Sequence, residues 1–193
     1  MARAQAESDR KSAHAHAAAR ASAIWDGALP AKPDHPYLGS KDISAGDARQ
    51  FKEALVLPVR DFTGALTSLQ FIGPNGRKML LRNGQKRGCV IPVSGDMAPA
   101  SRVIICEGWA TGRTLAEEEP KALVLAAIDA GNLEQVAINA RCRWPSTDLV
   151  IAGDDDRHTP GNPGATRAKA AAEAAGASLC LPQWPAGSPE SLS

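Results

Sequence analysis

Five carboxylates stand where short apolar runs end. Glu107 follows "RVIIC", Asp129 follows "ALVLAAI", and Asp154, Asp155 and Asp156 follow "DLVIAG". Carboxylates gathered without His or Cys suit a hard divalent cation that keeps several waters and meets substrate phosphates, which means Mg²⁺ or Mn²⁺. If the chain stays extended through the triplet, Asp154 and Asp156 point to one side and Asp155 to the other. Asp is also a common turn and cap residue, and Asp129, ahead of "AGNLEQ", fits a helix cap as well as a ligand.

Two neighbouring motifs fail the tests for other chemistry. "GWATGRT", residues 108 to 114, is one residue short of the ATPase phosphate loop and has Arg113 in place of its Lys. The Asp triplet has neither the Gly nor the Glu of a calcium loop. Cys89, Cys106, Cys142 and Cys180 contain no C-x-x-C pair, so neither a zinc site nor a disulfide framework is expected. Three of the thiols lie in apolar runs and are expected to pack as small hydrophobes. His14 and His16 are expected to be solvated, and His158 to be part of a loop.

The elements that must position the carboxylates emerge from the same runs. After residue 100, "RVIIC", "ALVLAAI", "DLVIAG" and "SLCL" alternate with helical stretches at about 111–119, 132–143 and 163–175. Nearly continuous apolar strands alternating with helices predict an α/β fold, a mainly parallel, doubly wound sheet with helices on both faces. In such sheets ligands bind beyond the carboxyl ends of the strands, where all five carboxylates stand.

Upstream, residues 55–93 are cut at "DFTG", "GPNG" and "RNGQKRG" into runs that predict a strand meander. Residues 47–54 are expected to form one short helix. The first 24 residues contain ten Ala and no sustained apolar stripe, which predicts a mobile helix. The expected segments are a helix and Pro-rich linker over 1–34, a strand-rich subdomain over 35–100, an α/β domain over 101–182 and a disordered tail over 183–193. Tyr37 and Leu38 are expected to anchor the linker to the main body.

Of 193 residues, 44% are hydrophobic and 22% charged, in a chain of net charge +1. Those proportions exclude a wholly disordered or fibrous chain. The longest apolar run, Ala122 to Ile128, is too short to span a membrane, and the N-terminal stretch lacks the apolar core of a secretory signal, so a cytoplasmic location is expected. Charge is segregated: residues 54–95 carry six basic side chains and one acidic, residues 101–158 six basic and ten acidic. Carboxylates that hold metal repel a phosphate backbone, so a chain that had to bring nucleic acid to them would need compensating cations nearby. Arg60, Lys78, Arg82, Lys86 and Arg87 are the candidates for phosphate contacts.

"RVIICEGWATG", "ALVLAAIDAGNL" and "DLVIAGDDDRHTPGNPGATRAKAAAEA" together resemble the Toprim domain of bacterial-type primases, topoisomerases and some nucleases. Its signature is a Glu after the first strand and a D-x-D after the third, positions held by Glu107, Asp154 and Asp156. "HPYLGSKDI", "LPVRDFTGALTSLQFIGPNGRKMLL" and "RGCVIPV" are similar to the region that precedes Toprim in primases of phages, plasmids and integrated elements. The resemblance implies a DNA primase catalytic core. Its activity would be metal-dependent, template-directed synthesis of short RNA primers from nucleoside triphosphates on single-stranded DNA. Glu107, Asp154 and Asp156 would be both catalytic and metal-binding, with Glu107 alternatively relaying a proton. A separate helicase or zinc-binding module is an expected partner. Replicative primases carry a further acidic pair beyond the D-x-D, and no Asp or Glu stands between Asp156 and Glu173. A Toprim nuclease using the same acids, or a non-catalytic nucleic-acid-binding accessory module, are the alternatives.

Overall fold

The computed structural model describes residues 1–94, 97–98 and 101–183. The chain divides into two units, Met1–Pro92 and Val93–Ser193.

The first unit begins with helix α1 (Ala2–Gly27). Leu29–Pro30 (β1), Arg49–Phe51 (β2), Ala54–Arg60 (β3), Leu66–Ile72 (β4) and Lys78–Leu80 (β5) form an antiparallel sheet in that order, with helix α2 (Pro36–Lys41) between β1 and β2. Ile91–Pro92 (β6) ends the unit. The meander expected over 55–93 is present, but the helix expected at 47–54 is a hairpin. Phe51 pairs with Ala54 across a two-residue turn whose first residue, Lys52, adopts φ 56. A tertiary pairing with β3 overrides the local preference there.

The Ala-rich helix is longer than expected and is docked. Ala17 and Ala21 are fully buried, and Ala21 packs on Val56 and Leu69 with Ile24 and Trp25 alongside. Short side chains let the helix lie close to the sheet, so a stripe of methyl groups replaces the large apolar stripe that was absent from the sequence. Arg49 stacks its guanidinium 4.4 Å from the centre of the Trp25 ring. Tyr37 and Leu38 are buried as anchors, and His35 caps their helix by accepting the Tyr37 N–H at Nδ1 while Nε2 meets the Glu53 carbonyl.

The second unit is α/β. Its elements are Arg102–Cys106 (β7), Trp109–Glu118 (α3), Leu123–Ala126 (β8), Leu133–Arg143 (α4), Asp148–Ala152 (β9), Pro163–Ala175 (α5) and Ser178–Cys180 (β10). Strands β10, β9, β7 and β8 lie in that order, all neighbours parallel. β7 and β8 are almost wholly buried, as strands covered on both faces must be. Two packing details fix the helices. Gly112 of α3 sits so close to Cys106 that a Cβ would stand 3.1 Å from its sulfur and 2.8 Å from Val93. Arg141 at the end of α4 donates to the carbonyls of Pro145, Thr147, Ala175 and Gly176, tying the C-terminal ends of α4 and α5 together.

Cys89 and Cys106 are buried as expected, whereas Cys142 and Cys180 are exposed. The Cys180 expectation fails because β10 is an edge strand, exposed along its length. Residues 184–193, most of the expected disordered tail, lie outside the described residues. Among the described residues no helix is long and apolar enough to cross a membrane.

Candidate active site at the carboxyl edge of the parallel sheet

The register of the central strand explains why the acids meet. Cys106 pairs with Ala126 on one side and with Ala152 on the other, so three strands end at one level. Glu107 leaves the middle of that edge, Asp129 the β8 side, and Asp154 to Asp156 the β9 side.

Glu107 is half-buried. Its carboxyl is pushed above the ordinary range, first by burial and then by the negative charge of Asp154, with smaller contributions from Asp156 and Asp129; the Ala130 N–H opposes the rise. Sequence reasoning placed Glu107, Asp154 and Asp156 at one edge, and Glu107 lies within electrostatic reach of Asp154, Asp156 and Asp129. A cation would lower the negative potential that Asp154, Asp156 and Asp129 set up at Glu107, and an all-carboxylate donor set is the chemistry a hard divalent ion selects. Among the described residues no three His, Cys, Asp or Glu side chains form a group that could hold an ion.

Asp155 and Asp156 have defined partners. The Asp155 carboxylate accepts from Asn162 Nδ2 at 2.6 Å, and Asp156 Oδ2 accepts from the Gly164 N–H at 3.0 Å. Asn162, at φ 41, also caps α5 by accepting from the Ala165 N–H, with Pro163 in the first turn. Asp155 and Asp156 therefore both anchor the loop to the start of α5. These supports were missed from sequence, although "GNPG" carries an N-terminal cap signal. Gly153 is a second missed residue: a Cβ there would lie 2.4 Å from that of Ala168, so only glycine lets α5 pass beside the end of β9.

On the opposite side of the edge, Ile128 is held at φ 80, a conformation that costs a β-branched residue energy. Buried Asn132 steadies the turn by donating to the Ala127 carbonyl. Asp129 heads the short 3₁₀ turn Ala130–Asn132 but its side chain makes no capping bond, so the cap reading of this residue fails. Gly131 lies between two charges: a Cβ there would be 3.2 Å from Arg167 Nη1 and 3.3 Å from Asp129 Oδ1. Arg167 of α5 thus brings a guanidinium to the acidic edge, which no motif had indicated.

The phosphate-loop lookalike is structural. Gly108 precedes α3, Gly112 is a packing glycine, and Arg113 donates to the Val93 carbonyl and pairs with Glu117. His158 is exposed. Of the basic residues in the first unit, Lys78, Arg82 and Arg87 are exposed and Lys86 is half-buried. Arg60 differs, because its guanidinium donates to the Gly64 carbonyl and holds the "DFTG" turn.

This fold and edge define a Toprim domain, and the Toprim domain family matches residues 102–187. Residues 102–187 thus carry the sequence of a Toprim domain. It is 38% identical over 164 residues to an Escherichia coli protein named DNA primase TraC, an alignment covering 80% of this chain and 11% of that protein. A second Escherichia coli DNA primase TraC is 37% identical over 168 residues, covering 82% of this chain and 16% of the relative. The chain therefore spans a small part of the length of these curated relatives. In fold it is similar to the primase fragment of the bacteriophage T7 primase-helicase protein, with a TM-score of 0.56 at 13% identity, covering 77% of this chain and 64% of that one.

Proposed function

We propose that this chain is the catalytic core of a DNA primase, joining nucleoside triphosphates into short RNA primers on a single-stranded DNA template in the cytoplasm. The observation that carries the reading is the raised carboxyl of Glu107, set among Asp154, Asp156 and Asp129 at the level ends of three parallel strands. Relatedness to two proteins named as DNA primases supports it.

In this reading Glu107, Asp154 and Asp156 hold Mg²⁺ or Mn²⁺. When bound, the ions supply charge neutralisation at the attacking 3′-hydroxyl and the departing pyrophosphate. Glu107, half-buried and with an elevated affinity for protons, is the carboxylate best suited to accept one from the hydroxyl. Arg167 at the rim is placed to pair with triphosphate oxygens, and Lys78, Arg82, Lys86 and Arg87 hold template phosphates. Arg60 belongs in that group only if its bond to the Gly64 carbonyl opens. A helicase and a zinc-binding module, on separate chains or in the remainder of a longer protein, are the expected partners.

The test is incubation with a single-stranded template, labelled nucleotides and Mg²⁺ or Mn²⁺. New oligonucleotide supports the proposal. A shortened template means a nuclease with the same acids, and retention of the strand without either product means a binding module.

A further inference from the structure

One face of the antiparallel sheet is only partly covered. Phe51 pairs with Ala54, Val56 with Phe71, and Phe71 with Met79, so these side chains share a face. α1 covers Val56 and reaches the edge of Phe71, then leaves the rest open. Phe51 is 39% exposed and Met79 51%. Between them lies an open groove of about 510 Å³, floored by Phe51, Ala54, Phe71 and Met79 and walled by Pro74, Lys52 and Glu53.

The rim is cationic. Lys52 carries its ammonium 5.8 Å from the centre of the Phe51 ring, and exposed Arg77, two residues before Met79, shares its face of the hairpin. Glu53 is the single acidic wall residue. Aromatic rings on an apolar floor beneath a basic rim complement a strand that offers base faces and phosphates together. A duplex hides its base faces in the stack, so the fit is to unpaired nucleotides. A peptide helix seated here would need acidic flanks to match the same rim.

We infer that this groove seats unpaired bases of a single-stranded nucleic acid against Phe51, Phe71 and Met79, with Lys52 and Arg77 at the adjoining phosphates. The inference rests on the proposed use of a single-stranded template but involves none of the carboxylates, so it can fail or stand without them.

The experiment measures binding of an oligothymidylate and of an abasic strand of equal length, by fluorescence anisotropy in EDTA without nucleotides. The unaltered chain is expected to prefer the base-bearing strand. Phe51→Ala with Met79→Ala should weaken that binding about tenfold, the effect of losing stacking worth roughly 1.4 kcal/mol, and leave the abasic strand unaffected. Lys52→Gln should flatten the salt dependence by about 0.7 for both strands. Should the double variant unfold, Met79→Ala alone, at a half-exposed position, is expected to show part of the loss. Equal binding of the two strands by the unaltered chain, or variants that keep its preference, would overturn the inference. So would an acidic amphipathic peptide that binds the groove without displacing the oligonucleotide. Loss of priming with base preference retained would count against the primase reading alone.

Discussion

Gly164 stands against Asp156 so closely that its N–H donates to Oδ2 at 3.0 Å, and a Cβ in its place would come within 2.8 Å of that oxygen. The same Cβ would lie 2.7 Å from the Asp154 carbonyl. The start of α5 therefore sets where the D-x-D loop lies. Gly164→Ala is expected to destabilise the protein by about 1–3 kcal/mol and to weaken divalent-ion binding together with it. Denaturant unfolding and a Mn²⁺ titration check the two effects.

Asp154→Asn and Asp156→Asn should lower turnover by orders of magnitude with the fold intact. The side-chain amide that Asp156→Asn introduces keeps an oxygen able to accept the Gly164 N–H, so the support of the loop survives while the charge is lost. Circular dichroism and the priming rate, measured on the same preparations, separate these outcomes. Unfolding of both variants would mean that the triplet is structural.

Glu107 offers a pH test. Its carboxyl is raised in the folded protein, so between the ordinary carboxylate value and the raised one the folded state holds more protons than the unfolded state. Stability from this group falls as pH rises through that window, and the deficit persists above it. In EDTA, Glu107→Gln should therefore unfold at a higher temperature than the unaltered chain at about pH 8, with the gap closing toward about pH 4. A gap that widens on acidification would contradict the placement of Glu107 among carboxylates.

The level strand ends were legible in sequence because buried parallel strands are continuous apolar runs, and the residue after each run is at the ligand edge whatever the surrounding detail. The alternation of an extended chain sets Asp154 and Asp156 apart from Asp155 only as an expectation, because the triplet lies beyond the end of β9. The helix expected over residues 47–54 was wrong because a three-residue strand has too few positions to show a period, and only its pairing with β3 defines it. The docking of α1 was hidden for a related reason: Ala17 and Ala21 are indistinguishable in type from the exposed alanines around them. Gly131, Gly153 and Gly164 act through the space a missing Cβ leaves, which depends on neighbours distant in sequence. Arg167 looked like any helix-surface cation until α5 was placed beside Ala130–Asn132.

Thiol reactivity gives a simple check on the two cores. Burial raises the thiols of Cys89 and Cys106, while Cys142 and Cys180 are exposed. Iodoacetamide on the native protein should label Cys142 and Cys180, with Cys89 and Cys106 labelled only in denaturant. Peptide mass spectrometry reads all four positions.

Exposed Lys78, Arg82 and Arg87 should each add about 0.7 to the slope of log affinity against log salt for a single strand. Neutralising all three is expected to flatten that slope by about two units, with similar weakening for every sequence and no change in Mn²⁺ binding. Parallel slopes would show that these cations do not touch the backbone.

The central claim, that the carboxylates of Glu107, Asp154 and Asp156 hold divalent ions for nucleotidyl transfer, is tested most directly by primer synthesis on single-stranded DNA. The measurement compares the unaltered chain with Asp154→Asn and Asp156→Asn, with Mg²⁺ or Mn²⁺ and with EDTA. New oligonucleotide is expected only from the unaltered chain, and only with the ion present. Equal product from the variants, or synthesis that persists in EDTA, would contradict the claim.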